Sequence, residues 1–232
     1  MAYGKRMRKA IEGIDSLKPM SLEEAVKTVK ERSKVKFDET VDVAINLNID
    51  TRKADQNIRG MLSLPHGTGK NIRVAVICKD DKMDEARQAG ADLVGADELI
   101  DQILKGEINF DRCIATPDMM GLVGKVARVL GPKGLMPNPK LGTVTPNVGA
   151  AVKEAKAGQI EYRAEKAGIV HAGVGKVSFS EKNLAENIKA LVSTLVKGRP
   201  AGVKGSYIKK ITISSSMGPC VRIDAASVGA EG

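Results

Sequence analysis

Tryptophan is absent from this 232-residue chain, and aromatic residues make up only 3% of it, three Tyr and three Phe. So few rings argue against a surface that binds bases mainly by stacking them. No run approaches the ~18 consecutive apolar residues of a membrane span. Residues 1–15 are basic but lack the apolar stretch of a secretion signal. The three cysteines, Cys78, Cys113 and Cys220, are widely spaced and form no Cys-x-x-Cys pair. They read as small buried hydrophobes in a reducing compartment. With only two histidines, His66 and His171, a metal cluster would have to be assembled from five scattered side chains. The expectation is a soluble cytoplasmic protein with no metal, no cofactor and no membrane partner.

What is present in quantity is positive charge. Lys and Arg number 37 against 28 Asp and Glu, for a net +9 and a pI near 9.4. Such an excess favours an anionic partner. Apolar residues at 42% and charged residues at 28% supply both a core and a solvated surface.

Hydropathy patterning divides the chain into three stretches. Near the start, a basic run from Lys5 to Lys9 leads into a short helix through Ile14. Ser21 and Glu24 form a capping box, and Leu22, Ala25, Val26 and Val29 follow at helical spacing, predicting a helix to about residue 31. Val41, Val43, Ile45 and Leu47 then alternate with Asp42, Ala44, Asn46 and Asn48, as in a half-buried strand. The middle changes character. Residues 73–78 form a near-continuous apolar run, as in a strand covered on both faces. A helix over 80–89, a strand over 91–94, a helix over 97–104 and a strand over 112–115 follow, predicting a small parallel, doubly wound unit. Thr116-Pro117 and Thr145-Pro146 each place a capping residue before a proline, predicting helix starts there. Beyond Gly158 alternation returns. Strands over 159–164 and 168–177 read as a hairpin, followed by a helix over 181–197 and strands over 207–214 and 221–224.

Both ends share one style and the middle another. The economical arrangement is an α+β end domain, an antiparallel sheet with helices, formed by residues 1–66 and 159–232, with an α/β doubly wound (Rossmann-like) domain inserted at 67–158. The two end segments together carry a net +8, whereas the insert carries +1. Within the insert, residues 67–118 carry −4 and residues 119–158 carry +5, which predicts one face turned toward an anion and one away.

Three stretches suit nucleic-acid contact. The loop Gly131-Pro132-Lys133-Gly134-Leu135-Met136-Pro137-Asn138-Pro139-Lys140 combines backbone permitting close approach with stiffening prolines. Its exposed amides, with Lys133, Gly134, Asn138 and Lys140, can hold phosphates or riboses; the plain alternative is a connector between helices. Lys36 beside Phe37 suits a phosphate next to a sugar or base, although by residue type Phe37 reads better as a core anchor. Ser214-Ser215-Ser216-Met217-Gly218-Pro219 offers hydroxyls and free amides for ribose 2′-OH groups, or is an ordinary turn.

Enzymatic signals are poor. Gly67-Thr68-Gly69-Lys70 and Gly173-Val174-Gly175-Lys176 lack the spacing and the Ser/Thr of a phosphate-binding loop. Neither histidine has an evident nucleophile or carboxylate partner, so no catalytic residue is assigned. The alternatives are a nucleotide-binding enzyme built on the insert, supported only by its fold class, and an architectural DNA binder.

Lys36-Phe37-Asp38-Glu39-Thr40-Val41, Asp55-Gln56-Asn57-Ile58-Arg59-Gly60, Ser63-Leu64-Pro65-His66-Gly67, Ala115-Thr116-Pro117-Asp118, the 131–140 loop and Ser216-Met217-Gly218-Pro219 occur in that order along nearly the whole chain. Together they resemble the family of bacterial large-subunit ribosomal protein L-one, the protein of the mobile stalk beside the tRNA exit site. The resemblance implies two domains, one inserted in the other, and binding of large-subunit ribosomal RNA mainly by the end domain. Its contact positions match here at Lys36, Phe37, Thr40, Ser216, Met217 and Gly218; Ser216 stands where some relatives have Thr. It also implies a role in releasing deacylated tRNA from the exit site, repression of translation from the messenger RNA of its own operon, and a monomer when free of the ribosome.

Overall fold

A computed structural model describes residues 4–15, 18–200, 202–203 and 205–229. In chain order its elements are α1 (Lys5–Ile11), α2 (Leu22–Arg32), β1 (Thr40–Leu47), β2 (Arg59–Ser63), β3 (Val74–Ile77), α3 (Met83–Gln88), β4 (Leu93–Gly95), α4 (Asp97–Leu104), β5 (Arg112–Ala115), α5 (Met120–Leu130), α6 (Val148–Lys156), β6 (Gln159–Arg163), β7 (Ile169–Lys176), α7 (Glu181–Lys197), β8 (Ile208–Ser215) and β9 (Cys220–Ile223). They gather into two compact units, residues 1–69 with 160–232, and residues 70–159.

In the first unit an antiparallel sheet runs in the order β7-β1-β8-β9. Alternation makes it two-faced. Val41, Val43, Ile45 and Leu47 of β1, with Ile211 and Ile213 of β8, are at most 2% exposed, while Asp42 looks outward. The buried face packs on Leu22, Ala25, Val26 and Val29 of α2 and on Leu184, Ile188, Leu191, Val192 and Leu195 of α7. Each such Leu or Ile contributes about 1.5–3 kcal/mol by leaving water. Helix α2 starts on the expected capping box, with Ser21 Oγ accepting from Glu24 N and Glu24 returning a carboxylate to Ser21 N, both at 3.4 Å.

The segment leaving this unit is pinned from within. Asn187 of α7 is fully buried. Its Oδ1 accepts from His66 N (3.1 Å), and its Nδ2 donates to Gly67 O (3.1 Å) and Val174 O (2.8 Å). His66 Nε2 meets Glu186 Oε2 at 2.5 Å, and His171 lies 3.8 Å from Glu165. Each histidine thus has the carboxylate neighbour that was not evident from spacing; Glu186 lies 120 positions from His66.

The second unit is built around β3, the middle strand of a parallel sheet ordered β4-β3-β5. All four β3 residues are 0% exposed. Val74 and Val76 pack with Val148, Val152 and Ala155 of α6 and Ala86 of α3; Ala75 and Ile77 pack with Leu99, Ile100 and Ile103 of α4 and Val123, Val126 and Leu130 of α5. Helices therefore cover both faces, as the apolar run 73–78 requires. Asp92 accepts from Val74 N at 2.8 Å, and Asp111 accepts from Arg73 N at 3.1 Å, so two carboxylates hold the entry to β3.

Several expectations need correction. The hairpin expected from strands over 159–164 and 168–177 does not form as a ladder. β6 pairs with β2 and β7 with β1, leaving a single bridge from Ala164 to Val170. Strand β2 was not anticipated, because Gly60 interrupts its pattern. A methyl group there would stand 2.5 Å from Tyr162 Oη, so this glycine is required by close approach. The helix expected at Thr145 begins at Val148 instead, capped by Asn147, whose Oδ1 accepts from Ala150 N. At Thr116 a 3₁₀ turn, Pro117–Met119, precedes α5, and the Thr116 hydroxyl caps nothing. The helix expected over 80–89 begins as a 3₁₀ turn, Asp80–Lys82, before α3. Cys78 and Cys113 are buried as expected, but Cys220 is exposed on β9.

Candidate nucleic-acid interface

Antiparallel pairing sets Val41 of β1 opposite Ser215 of β8. The start of β1 and the end of β8 therefore emerge together, although Thr40 and Ser216 are 176 positions apart. Thr40 N donates to Ser216 Oγ at 3.2 Å, and Ser216 N donates to Thr40 O at 3.1 Å. Lys176, opposite Thr40 on β7, donates through Nζ to Thr40 Oγ1 (3.1 Å) and to Asp38 O (3.2 Å). Asp38 accepts from Ser178 N (3.1 Å) and Ser178 Oγ (2.8 Å), fixing the segment that carries Lys36 and Phe37.

The turn after β8 is held from below. Ser215 falls on the inward side of the strand's alternation and is 3% exposed. Gly218 N donates to Ser215 O at 3.1 Å, closing the turn. A methyl on Gly218 would stand 2.3 Å from Ser215 Oγ, so the glycine is needed for close packing onto this hydroxyl. Both polar ends of the Met217 peptide are engaged. Its amide donates to Glu39 Oε2 (3.1 Å), and its carbonyl accepts from Arg6 Nη1 (2.7 Å). Glu39 is 0% exposed. Burial alone would raise its carboxyl, but the Ser215 hydroxyl, the Met217 amide, the Ser33 hydroxyl and the Arg6 charge around it outweigh burial, leaving it below its usual range. Glu39 Oε1 and Ser215 Oγ are both buried without a hydrogen bond of ordinary geometry.

Above this framework the surface is unusual. Among the described residues, the exposed large hydrophobics are Phe37 (56%), Leu104 (50%) and Met217 (47%). Two of the three flank one junction. Phe37 is thus not the core anchor that its residue type suggested. Lys36 and Ser216 are exposed and Thr40 half-exposed, whereas Ser215 lies beneath. The junction thus exposes a cation, a hydroxyl and two bare apolar side chains at its surface, over a buried carboxylate engaged by the Met217 amide, a composition that suits recognition.

The 131–140 loop belongs to the second unit. Lys133, Gly134 and Lys140 are exposed, with Gly134 at φ +71. Leu135 and Met136 pack on the α4–α5 core, so the loop is more than a connector. Asn138 is turned to local use. Its Oδ1 accepts from Lys140 N (2.9 Å), and its backbone exchanges two bonds with Thr143 Oγ1.

Sequence reading missed Glu39, Arg6, Lys176 and Asp38 as parts of the junction. Asp38 and Glu39 stood in a recognised motif, but their partners come from residues 176–217 and no spacing rule reveals them. Residues 29–219, from within α2 to the turn after β8, match the Ribosomal protein L1p/L10e family. That family is one of structural ribosomal proteins that bind large-subunit RNA on the ribosome, and this chain belongs to it.

Proposed function

We propose that the β1–β8 junction is the site for large-subunit ribosomal RNA at the base of the mobile stalk, contacted by Lys36, Phe37, Thr40, Ser216, Met217 and Gly218, with Ser215 supporting them from beneath. The observation that carries this reading is the mutual bonding of Thr40 and Ser216 beside the exposed Phe37 and Met217. Exposed apolar side chains and a hydroxyl within a positively charged setting suit sugars and bases splayed from a folded RNA. The first unit would be the RNA-binding domain, and Lys133, Gly134, Asn138 and Lys140 a secondary contact on the second.

Family membership supports two further roles: assisting release of deacylated tRNA from the exit site, and repressing the messenger RNA of its own operon through a site resembling the ribosomal one. Free of the ribosome the protein would be a monomer. One surface serving both RNAs makes them competitors.

Filter binding to a stalk-RNA fragment tests this. Affinity should fall steeply with salt, and duplex DNA of the same sequence should compete poorly for lack of 2′-OH groups. Met217→Asp should weaken rRNA and operon-RNA binding together by at least tenfold with the melting temperature unchanged. Unaltered affinity would remove Met217 from the site.

A further inference from the structure

Helix α1 is an awkward helix by its own sequence. It is seven residues long, and isolated helices of that length are marginal. Lys5, Arg6, Arg8 and Lys9 put four cations in it, with no acidic residue in the first turn. Two of them, Lys5 and Arg6, stand at the amino end, where the helix dipole disfavours positive charge. No α1 residue is fully buried. Met7, Ala10 and Ile11 are half-buried, and Ile14 beyond them packs on the first unit's core, a narrow stripe at 7, 10, 11 and 14. The lysines and arginines are exposed. Arg8 and Lys9 suit the last turn, but the exposed cluster of four cations, two of them at the disfavoured end, is not accounted for by the fold and points to a use outside it.

The position of the helix indicates that use. Arg6 Nη1 donates to the carbonyl of Met217, tying the first turn of α1 to the loop that presents Ser216, Met217 and Gly218. Arg32 Nη1 donates to Lys9 O at 3.4 Å, joining the other end to α2. The helix also lies outside the residues, 29–219, that match the family.

We propose that α1 is a phosphate-binding arm of the RNA interface. Lys5, Arg8 and Lys9 contact successive phosphates of the strand whose sugars and bases lie against the Met217 turn, and Arg6 couples arm to turn. The repulsion among four clustered cations is then relieved by the ligand, whose phosphates meet the exposed side chains. This rests on the reading of the junction as an RNA site.

The test is the salt dependence of affinity for the stalk-RNA fragment. Each phosphate neutralised adds about 0.7 to 0.9 to the slope of log K against log salt. The variant Lys5→Gln/Arg8→Gln/Lys9→Gln keeps good helix formers at exposed positions and should lower that slope by about 2. A control, Lys182→Gln/Lys189→Gln/Lys197→Gln on the exposed side of α7, removes the same charge and should lower it by less than about 0.5. If wild type binds and the α1 variant keeps the wild-type slope, or both variants lose equally, the arm is overturned while the junction stands. Wild type that does not bind the RNA overturns the junction and the arm with it.

Discussion

The amide of Met217 points inward to the carboxylate of Glu39 at 3.1 Å, so an exposed residue of the candidate interface rests on one of the most buried charges in its unit. Because the folded carboxyl lies below its ordinary value of 4.5, its contribution is present above that value and is lost as pH falls through the depressed one. Glu39→Gln keeps an acceptor but not the charge. It should lower stability by about 1.5–3 kcal/mol at neutral pH, the range for a hydrogen bond to a charged group. The difference from wild type should be smaller at an acid pH well below the ordinary 4.5 than at neutral pH. Urea midpoints at the two pH values decide the matter; a gap independent of pH would show that the charge contributes nothing.

Gly218 and Ser215 make a second testable pair. The 2.3 Å approach of a Gly218 methyl to Ser215 Oγ should push the turn outward in Gly218→Ala. RNA affinity is expected to fall about tenfold, or ~1.4 kcal/mol. Adding Ser215→Ala removes the obstructing oxygen and should restore most of the loss. Strict additivity of the two substitutions would refute a steric cause.

Asn187 predicts a stability effect away from the interface. Asn187→Leu strands His66 N, Gly67 O and Val174 O together. At about 1–3 kcal/mol for each buried group left unsatisfied, tempered by water entering near Gly67, the total loss should be about 2–4 kcal/mol. A shift in urea midpoint equivalent to less than ~0.5 kcal/mol would mean the pinning is incidental.

The cysteines separate by reactivity. Burial pushes the Cys113 thiol to about 12, and Cys78 is 0% exposed, whereas Cys220 stands in solvent on β9. Brief alkylation of native protein near pH ~8 should add one label, at Cys220, by peptide mass. Equal labelling of Cys113 would contradict its burial.

Local pattern made much of the fold legible. The capping box at Ser21, the alternation from Val41 to Leu47 and the apolar run before Cys78 each depend on neighbours within eight residues, and each formed. What stayed hidden depends on distant partners. Gly60 looks like a strand breaker until Tyr162 is opposite it, and β6 looks like the mate of β7 until β2 takes its edge. Exposure of Phe37 was likewise unreadable, since a lone aromatic before a strand is usually interior. Short motifs named residues on both strands of the junction, but not the bonds by which Arg6, Glu39 and Lys176 hold those strands' ends in place.

Strand β1 is made early and completed late. Its ladder partners, β7 and β8, both come after residue 168, beyond the whole of the second unit. During synthesis the 70–159 unit is completed from contiguous chain, while Val41, Val43, Ile45 and Leu47 wait for their ladder partners. At ordinary translation speed that wait is on the order of ten seconds. The apolar face of β1 is therefore without its sheet neighbours for most of the time the chain takes to be made, and α2 is the one helix of its core already present to cover it.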